Sequence, residues 1–139
     1  MSTSKGKPQY YKDLVVWQRG MDLVVMCYRL TNDFPPSERM GLSFQIRKSA
    51  VSIPSNIAEG NQRRTTPAYI NCVSIALGSQ GELATQLEAS RRLGFGLDRE
   101  RAVAIDTCEE VGRLLYGLLE SLERRGAAPR VFSYTVPSP

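Results

Sequence analysis

The chain has 139 residues, 42% of them apolar, 23% charged and 8% aromatic, a length and balance that fit one domain around a single core and exclude a wholly disordered or fibrous chain. Eighteen Lys and Arg against fourteen Asp and Glu leave a net charge of +4, a mild basic excess that permits a polyanionic partner without requiring one. Histidine is absent, which closes the Ser-His-Asp, Cys-His and HExxH chemistries and any imidazole relay, so the chain reads as a non-enzyme with no catalytic residue.

Cys27, Cys72 and Cys108 are odd in number and lack CxxC spacing, so they fit neither a disulfide framework nor a metal knuckle and read as reduced thiols of a cytoplasmic protein. No metal and no cofactor is expected. The segment Met1 to Gln9, with Lys5 and Lys7, is polar and lacks the apolar core of a signal peptide. No apolar stretch approaches the roughly 18 residues of a membrane-spanning helix, so no membrane partner is expected. The expected organisation is a polar segment over 1–9, a helical body over 10–125 and a proline-containing tail over 126–139, in which Val131, Phe132 and Tyr134 could dock on the body or a neighbour.

The first helical segment is expected from about Asp13 to Asp33. Leu14, Trp17, Met21, Val24, Val25 and Tyr28 recur at three and four residues and form its apolar face, with Val15, Val16 and Leu23 beyond that stripe. Asp13 is the expected cap, and Phe34-Pro35-Pro36 the stop. The second segment runs from Met40 or Gly41 to Ala58, with Leu42, Ile46, Ala50, Ile53 and Ile57 on one side. Pro54 removes a helical hydrogen bond and predicts a kink or break, which Ser52, Ser55 and Asn56 could repair, with Gly60 and Asn61 ending the segment.

The third segment extends from Thr66, read as a cap before Pro67, to Leu93, with Tyr69, Ile70, Val73, Leu77, Ala84 and Leu87 as its apolar set. Ser74, Gly78 and Gly81 form a short small-residue ridge, which predicts close approach of another helix. Gly94-Phe95-Gly96 connects to an Asp98 cap. The fourth segment then runs to Arg124 or Arg125, with Ala102, Ile105, Cys108, Val111, Leu115, Leu118, Leu119 and Leu122 at helical spacing and Gly126 as its stop. Four amphipathic helices with mostly short connections predict an all-α four-helix bundle, and the surplus of apolar surface predicts a homo-oligomer.

The run Gln45-Ile46-Arg47-Lys48-Ser49-Ala50-Val51-Ser52-Ile53-Pro54-Ser55-Asn56-Ile57-Ala58-Glu59-Gly60 is distinctive. Together with Asp13-Leu14-Val15-Val16-Trp17, Phe34-Pro35, Gly78-Ser79 and Glu82-Leu83, it resembles the small bundle proteins first associated with intervening sequences in bacterial 23S rRNA genes. That family also includes the accessory variability protein of diversity-generating retroelements. The resemblance spans about residues 10 to 122. It implies an antiparallel four-helix bundle, assembly as a pentameric ring, and nucleic-acid association in at least the retroelement branch; it implies no catalytic residues.

Charge supports a binding reading from a second direction. Between Arg39 and Arg64 stand Arg39, Arg47, Lys48, Arg63 and Arg64 against Glu59 alone, whereas the chain from Asp98 onward is slightly acidic. Arg47, Lys48, Arg63 and Arg64, with Arg91 and Arg92 as a secondary patch, are therefore the candidate phosphate-backbone contacts for RNA or DNA. The alternative leaves Arg63 and Arg64 as a solvated loop pair and places Arg47 in an ion pair with Glu59 or Glu82. Ser52, Asn56, Glu59 and Glu82 are read as structural polar residues, because a carboxylate metal site in a bundle commonly needs Glu-x-x-His. The leading expectation is a nucleic-acid-associated oligomeric scaffold, possible within a larger protein complex. The alternative is a protein-protein interaction module acting through Ser74, Gly78 and Gly81.

Overall fold

A computed structural model describes residues 10–127; the expectations for the N-terminal segment and for the tail from Ala128 onward lie outside them. Four helices, α1 (Val15–Asn32), α2 (Leu42–Asn61), α3 (Thr66–Leu93) and α4 (Asp98–Ala127), account for nearly all of this span, with short 3-10 turns at Tyr11–Asp13 and Pro36–Glu38. Each helix packs on its neighbours in the chain, and α4 closes on α1, so the four stand at the corners of a square. Cross-helix neighbours fix an antiparallel course. Gly20 of α1 faces Pro54 of α2 while Gly126 near the end of α4 faces Thr66 at the start of α3, and Ser52 pairs with Ser79.

The core is built from Leu23, Leu30, Ile46, Ile53, Ile57, Val73, Leu83, Leu87, Val111, Leu115 and Leu122, all fully buried. The face that α1 turns inward differs from the expected one: it is Val16, Gly20, Leu23, Cys27, Leu30 and Thr31. Met21, Val25 and Tyr28 are exposed, and Leu14, Trp17 and Val24 lie half-buried at the edge. Both stripes satisfy helical periodicity. The inward one contains Gly20, which brings α1 close to α2: a Cβ there would stand 3.6 Å from the Pro54 ring.

Several local expectations are corrected by packing. Asp13 belongs to the preceding 3-10 turn, and Leu14 occupies the α1 cap position without a side-chain bond. Thr65 rather than Thr66 caps α3, its hydroxyl accepting from the Ala68 amide at 3.2 Å. Asp98 is the first residue of α4 rather than its cap, and α4 runs past Gly126. The break expected at Pro54 does not occur, since α2 is continuous through it and flanking Ile53 and Ile57 are fully buried. Asn56 Nδ2 donates to the Ser52 carbonyl at 2.9 Å and to its hydroxyl at 3.1 Å, and neither bond mends the Ala50 carbonyl that proline leaves free.

Gly60 does not stop α2. The helix continues to Asn61, and Gly60 is buried against α3, where a Cβ would come within 2.8 Å of Cys72 Cβ and 2.9 Å of the Tyr69 ring. Gly78 and Gly81 show the reverse: among the described residues a Cβ on either would meet nothing within 4 Å, so none of the four helices packs on the small-residue ridge. The α3–α4 connection turns through positive φ at Gly94 (72°) and Gly96 (83°). Buried Arg101 clamps it, donating to the Phe95 carbonyl at 2.6 Å and to Asp98 Oδ1 at 2.5 Å.

All three cysteines are free and buried. Burial, with a smaller contribution from Cys108, pushes the Cys27 thiol up to about 12, and burial pushes Cys108 up to about 11 against the bond from Gln80. Both thiols are therefore expected to resist a thiol-specific reagent at neutral pH in the folded protein and to react on unfolding. The unfolded chain releases these protons near pH 9 and the folded chain only near 11 to 12. Their stabilising contribution is complete below about pH 9 and falls as pH rises. Timed labelling with an aromatic disulfide, with and without denaturant, checks the protection.

Candidate nucleic-acid interface

The candidate cations divide by whether a carboxylate already holds them. Arg63 Nη2 stands 2.6 Å from Glu59 Oε2, one turn back on α2. Arg91 and Arg92 share Glu88, with Nη2 of Arg91 at 2.7 Å and Nε of Arg92 at 2.9 Å from the same oxygen. Arg64 has no partner among the described residues, but it lies past the C-terminal end of α2. Arg47 and Arg64 are separated by most of α2, roughly 20 Å at 1.5 Å per residue, so one protomer does not join them in a single patch.

The two bonds from Glu88 hold its carboxyl down to about 2, the bond from Arg91 contributing most and that from Arg92 next. A carboxylate whose folded value lies below its unfolded one contributes stability above about pH 4.5 and loses it as pH falls toward 2. The side-chain carboxyl carbon of Glu88 is therefore expected to titrate well below the usual glutamate range in an NMR pH series. Replacement by Gln should leave the fold intact and free both guanidinium groups.

Arg47 is arranged otherwise. It makes no ion pair with Glu59 or Glu82: Glu59 is engaged by Arg63, and Glu82 stands exposed on α3 without a partner among the described residues. Instead Arg47 Nε donates to Thr31 Oγ1 at 2.8 Å and Nη2 to Asn32 Oδ1 at 3.1 Å. Its guanidinium lies 4.5 Å from the centre of the Tyr28 ring. The Thr31 hydroxyl donates in turn to the Cys27 carbonyl at 2.8 Å. These partners are neutral, so Arg47 keeps its full positive charge while its position is fixed.

Around Arg47 the end of α1, the connecting residues Arg39 and Met40 and the first half of α2 form an open groove of about 580 Å³, lined by Tyr28, Arg39, Met40, Phe44, Arg47, Lys48, Val51 and Ser52. A second groove of about 310 Å³, on the Phe34-Pro35-Pro36 side, shares Arg39 and Arg47. Among the described residues no carboxylate lines either groove. Glu38, in the adjoining turn, accepts from the Leu42 amide at 2.9 Å and serves the start of α2. Arg39 and Lys48 are exposed and have no partner among the described residues.

Sequence reading named Arg47 and Lys48 as candidate contacts through charge, and counted Arg39 in the same basic run without naming it a contact. It missed Tyr28, assigned to the core, and Phe44, assigned to nothing. The available signal was Met40, Phe44, Lys48 and Val51, which follow one another at four, four and three residues and so share a helical stripe that alternates greasy and cationic. Ser52 and Asn56 do act within the protomer, Ser52 bonding Ser79 across to α3 at 2.7 Å. Among the described residues no group of His, Cys, Asp and Glu is placed to hold a metal ion, and no helix is long and apolar enough to cross a membrane.

These elements define the class: an all-α, four-helix bundle with a cationic, aromatic-edged groove at one end. The sequence profile of the 23S rRNA-intervening sequence proteins matches residues 12–117, and the chain belongs to that family. Its fold is similar to a crystal structure from Bacteroides thetaiotaomicron VPI-5482 of a protein with unknown function from the S23 ribosomal protein family. The TM-score is 0.67 at 24% identity, covering 76% of this chain and 99% of the other. No curated protein matches.

Proposed function

We propose that the protein is a non-enzymatic, oligomeric scaffold that holds RNA or DNA by its phosphate backbone. The observation that carries this reading is the convergence of Arg39, Arg47 and Lys48 on one groove that no carboxylate among the described residues lines. Uncompensated cations on a fixed surface attract a polyanion and release its counterions, and repetition of the groove in a closed ring multiplies a weak contact into a strong one. Such contacts position a strand without reading its sequence. The pentameric ring expected from the family resemblance supplies the repetition, and a cytoplasmic setting supplies the partner.

Size-exclusion chromatography with light scattering, with and without a mixed RNA and DNA pool across a salt series, tests both halves. The expected result is a stable oligomer that takes up nucleic acid near physiological salt and releases it as salt rises. An oligomer that takes up none sinks the binding half, and a monomer at all concentrations sinks the assembly half.

A protein-interaction module remains the second reading, because Ser74, Gly78 and Gly81 leave the outer face of α3 flat and open beside exposed Ile75. That reading requires binding to a protein partner that survives charge reversal in the groove and fails when bulk is added at Gly78 or Gly81.

A further inference from the structure

Tyr28 and Phe44 expose 42% and 44% of their surface beside the cationic groove. Bases of a duplex are stacked on one another and offer a protein only their edges and backbone, whereas an unpaired base offers a face that an aromatic ring can cover. Arg47 is placed for the same kind of contact. Two of its nitrogens are occupied by Thr31 and Asn32, and its guanidinium lies over Tyr28, so it forms a held, flat, cationic plate rather than a mobile arm. Lys48 lies one turn beyond Phe44 on α2, and Arg39 borders the same groove.

We propose that this groove seats an unpaired nucleotide of a single strand. Phe44 and the Tyr28–Arg47 pair take the base, and Arg39 and Lys48 meet the flanking phosphates. The groove volume of about 580 Å³ falls within the range of small-molecule sites. The inference rests on the nucleic-acid reading above and narrows it: the partner is single-stranded, and stacking adds to charge.

The test uses the full chain and fluorescence anisotropy at one salt concentration. It compares a labelled unstructured RNA strand of about 20 nucleotides with a fully paired duplex of the same length. The expected result is about tenfold tighter binding of the single strand. Phe44→Ala should weaken single-strand binding about tenfold with less than about a twofold effect on the duplex, and Phe44→Trp should restore it. Circular dichroism and light scattering confirm unchanged helicity and mass. Equal affinity for strand and duplex, or an indifferent Phe44→Ala beside a weakened Arg39→Glu/Lys48→Glu variant, overturns the stacking site and leaves the broader reading standing. Failure of both probes to bind overturns both. A change of mass on Phe44→Ala makes this face a subunit contact and also overturns the proposal.

Discussion

Arg39→Glu combined with Lys48→Glu is expected to weaken binding of a nucleic-acid strand by about 100-fold at roughly 0.1 M salt. Neither side chain has a partner among the described residues and both are exposed, so the exchange should leave the melting temperature nearly unchanged. Two phosphate contacts at about 1 kcal/mol each are lost, and two carboxylates are placed against the same backbone; a total near 3 kcal/mol corresponds to about two decades in affinity. The log–log dependence of affinity on salt should flatten by about 1.4 for each protomer engaged, because a single-strand phosphate contact contributes about 0.7.

Arg91→Glu with Arg92→Glu, which changes the net charge by the same amount, is the matched control. Glu88 already compensates part of that charge, and the loss should not exceed about threefold. Anisotropy titrations of the two double variants decide between a specific groove and net charge. Equal losses would mean that net charge alone does the binding.

Gly60→Ala and Gly78→Ala are expected to move stability in opposite directions, although both sites lie inside helices. At Gly60 the new methyl would sit 2.8 Å from Cys72 Cβ, 2.9 Å from the Tyr69 ring and 3.3 Å from the Tyr69 carbonyl oxygen. The last of these is backbone and cannot swing aside, so α2 and α3 must separate. Overpacking of this kind costs about 1 to 3 kcal/mol, which outweighs the alanine gain in helix propensity. At Gly78 nothing among the described residues stands within 4 Å, and only the propensity gain remains, up to about 1 kcal/mol. At roughly 4 °C per kcal/mol for a domain of this size, thermal melts should show Gly60→Ala lowered by about 4 to 12 °C and Gly78→Ala raised by up to about 4 °C. A rise for both would mean that α2 and α3 are not in the contact described. A fall for Gly78→Ala that depends on protein concentration would place α3 in an interface.

Glycine identity thus carried no information about glycine role. Gly60 read as a helix stop and Gly78 as a packing notch, yet Gly60 is the notch and Gly78 faces solvent. Each reading was locally sound, because a glycine satisfies a positive φ or a close approach equally well. Among the described residues only Gly94 and Gly96 take the positive φ that a turn demands. The candidate site followed the same pattern. Its charges were legible as a run of basic residues, while its aromatic edge was not, since an aromatic at helical spacing reads as core until the core is seen to be filled by others.

By itself the sequence determined four helices, nearly all their ends to within a few residues, an all-α bundle, and the stretch of chain where positive charge gathers. These follow from local rules: periodicity, proline and glycine punctuation, and the count of charges. Tertiary structure alone decided which of two apolar stripes of α1 is buried. Val16, Leu23, Cys27 and Leu30 go inside with Gly20 at the point of closest approach to α2, leaving Tyr28 to meet Arg47 at the rim. A helix that is apolar most of the way round offers two faces of similar hydrophobic gain, and the choice falls to the one whose small residue lets its neighbour come close enough to fill the space between them.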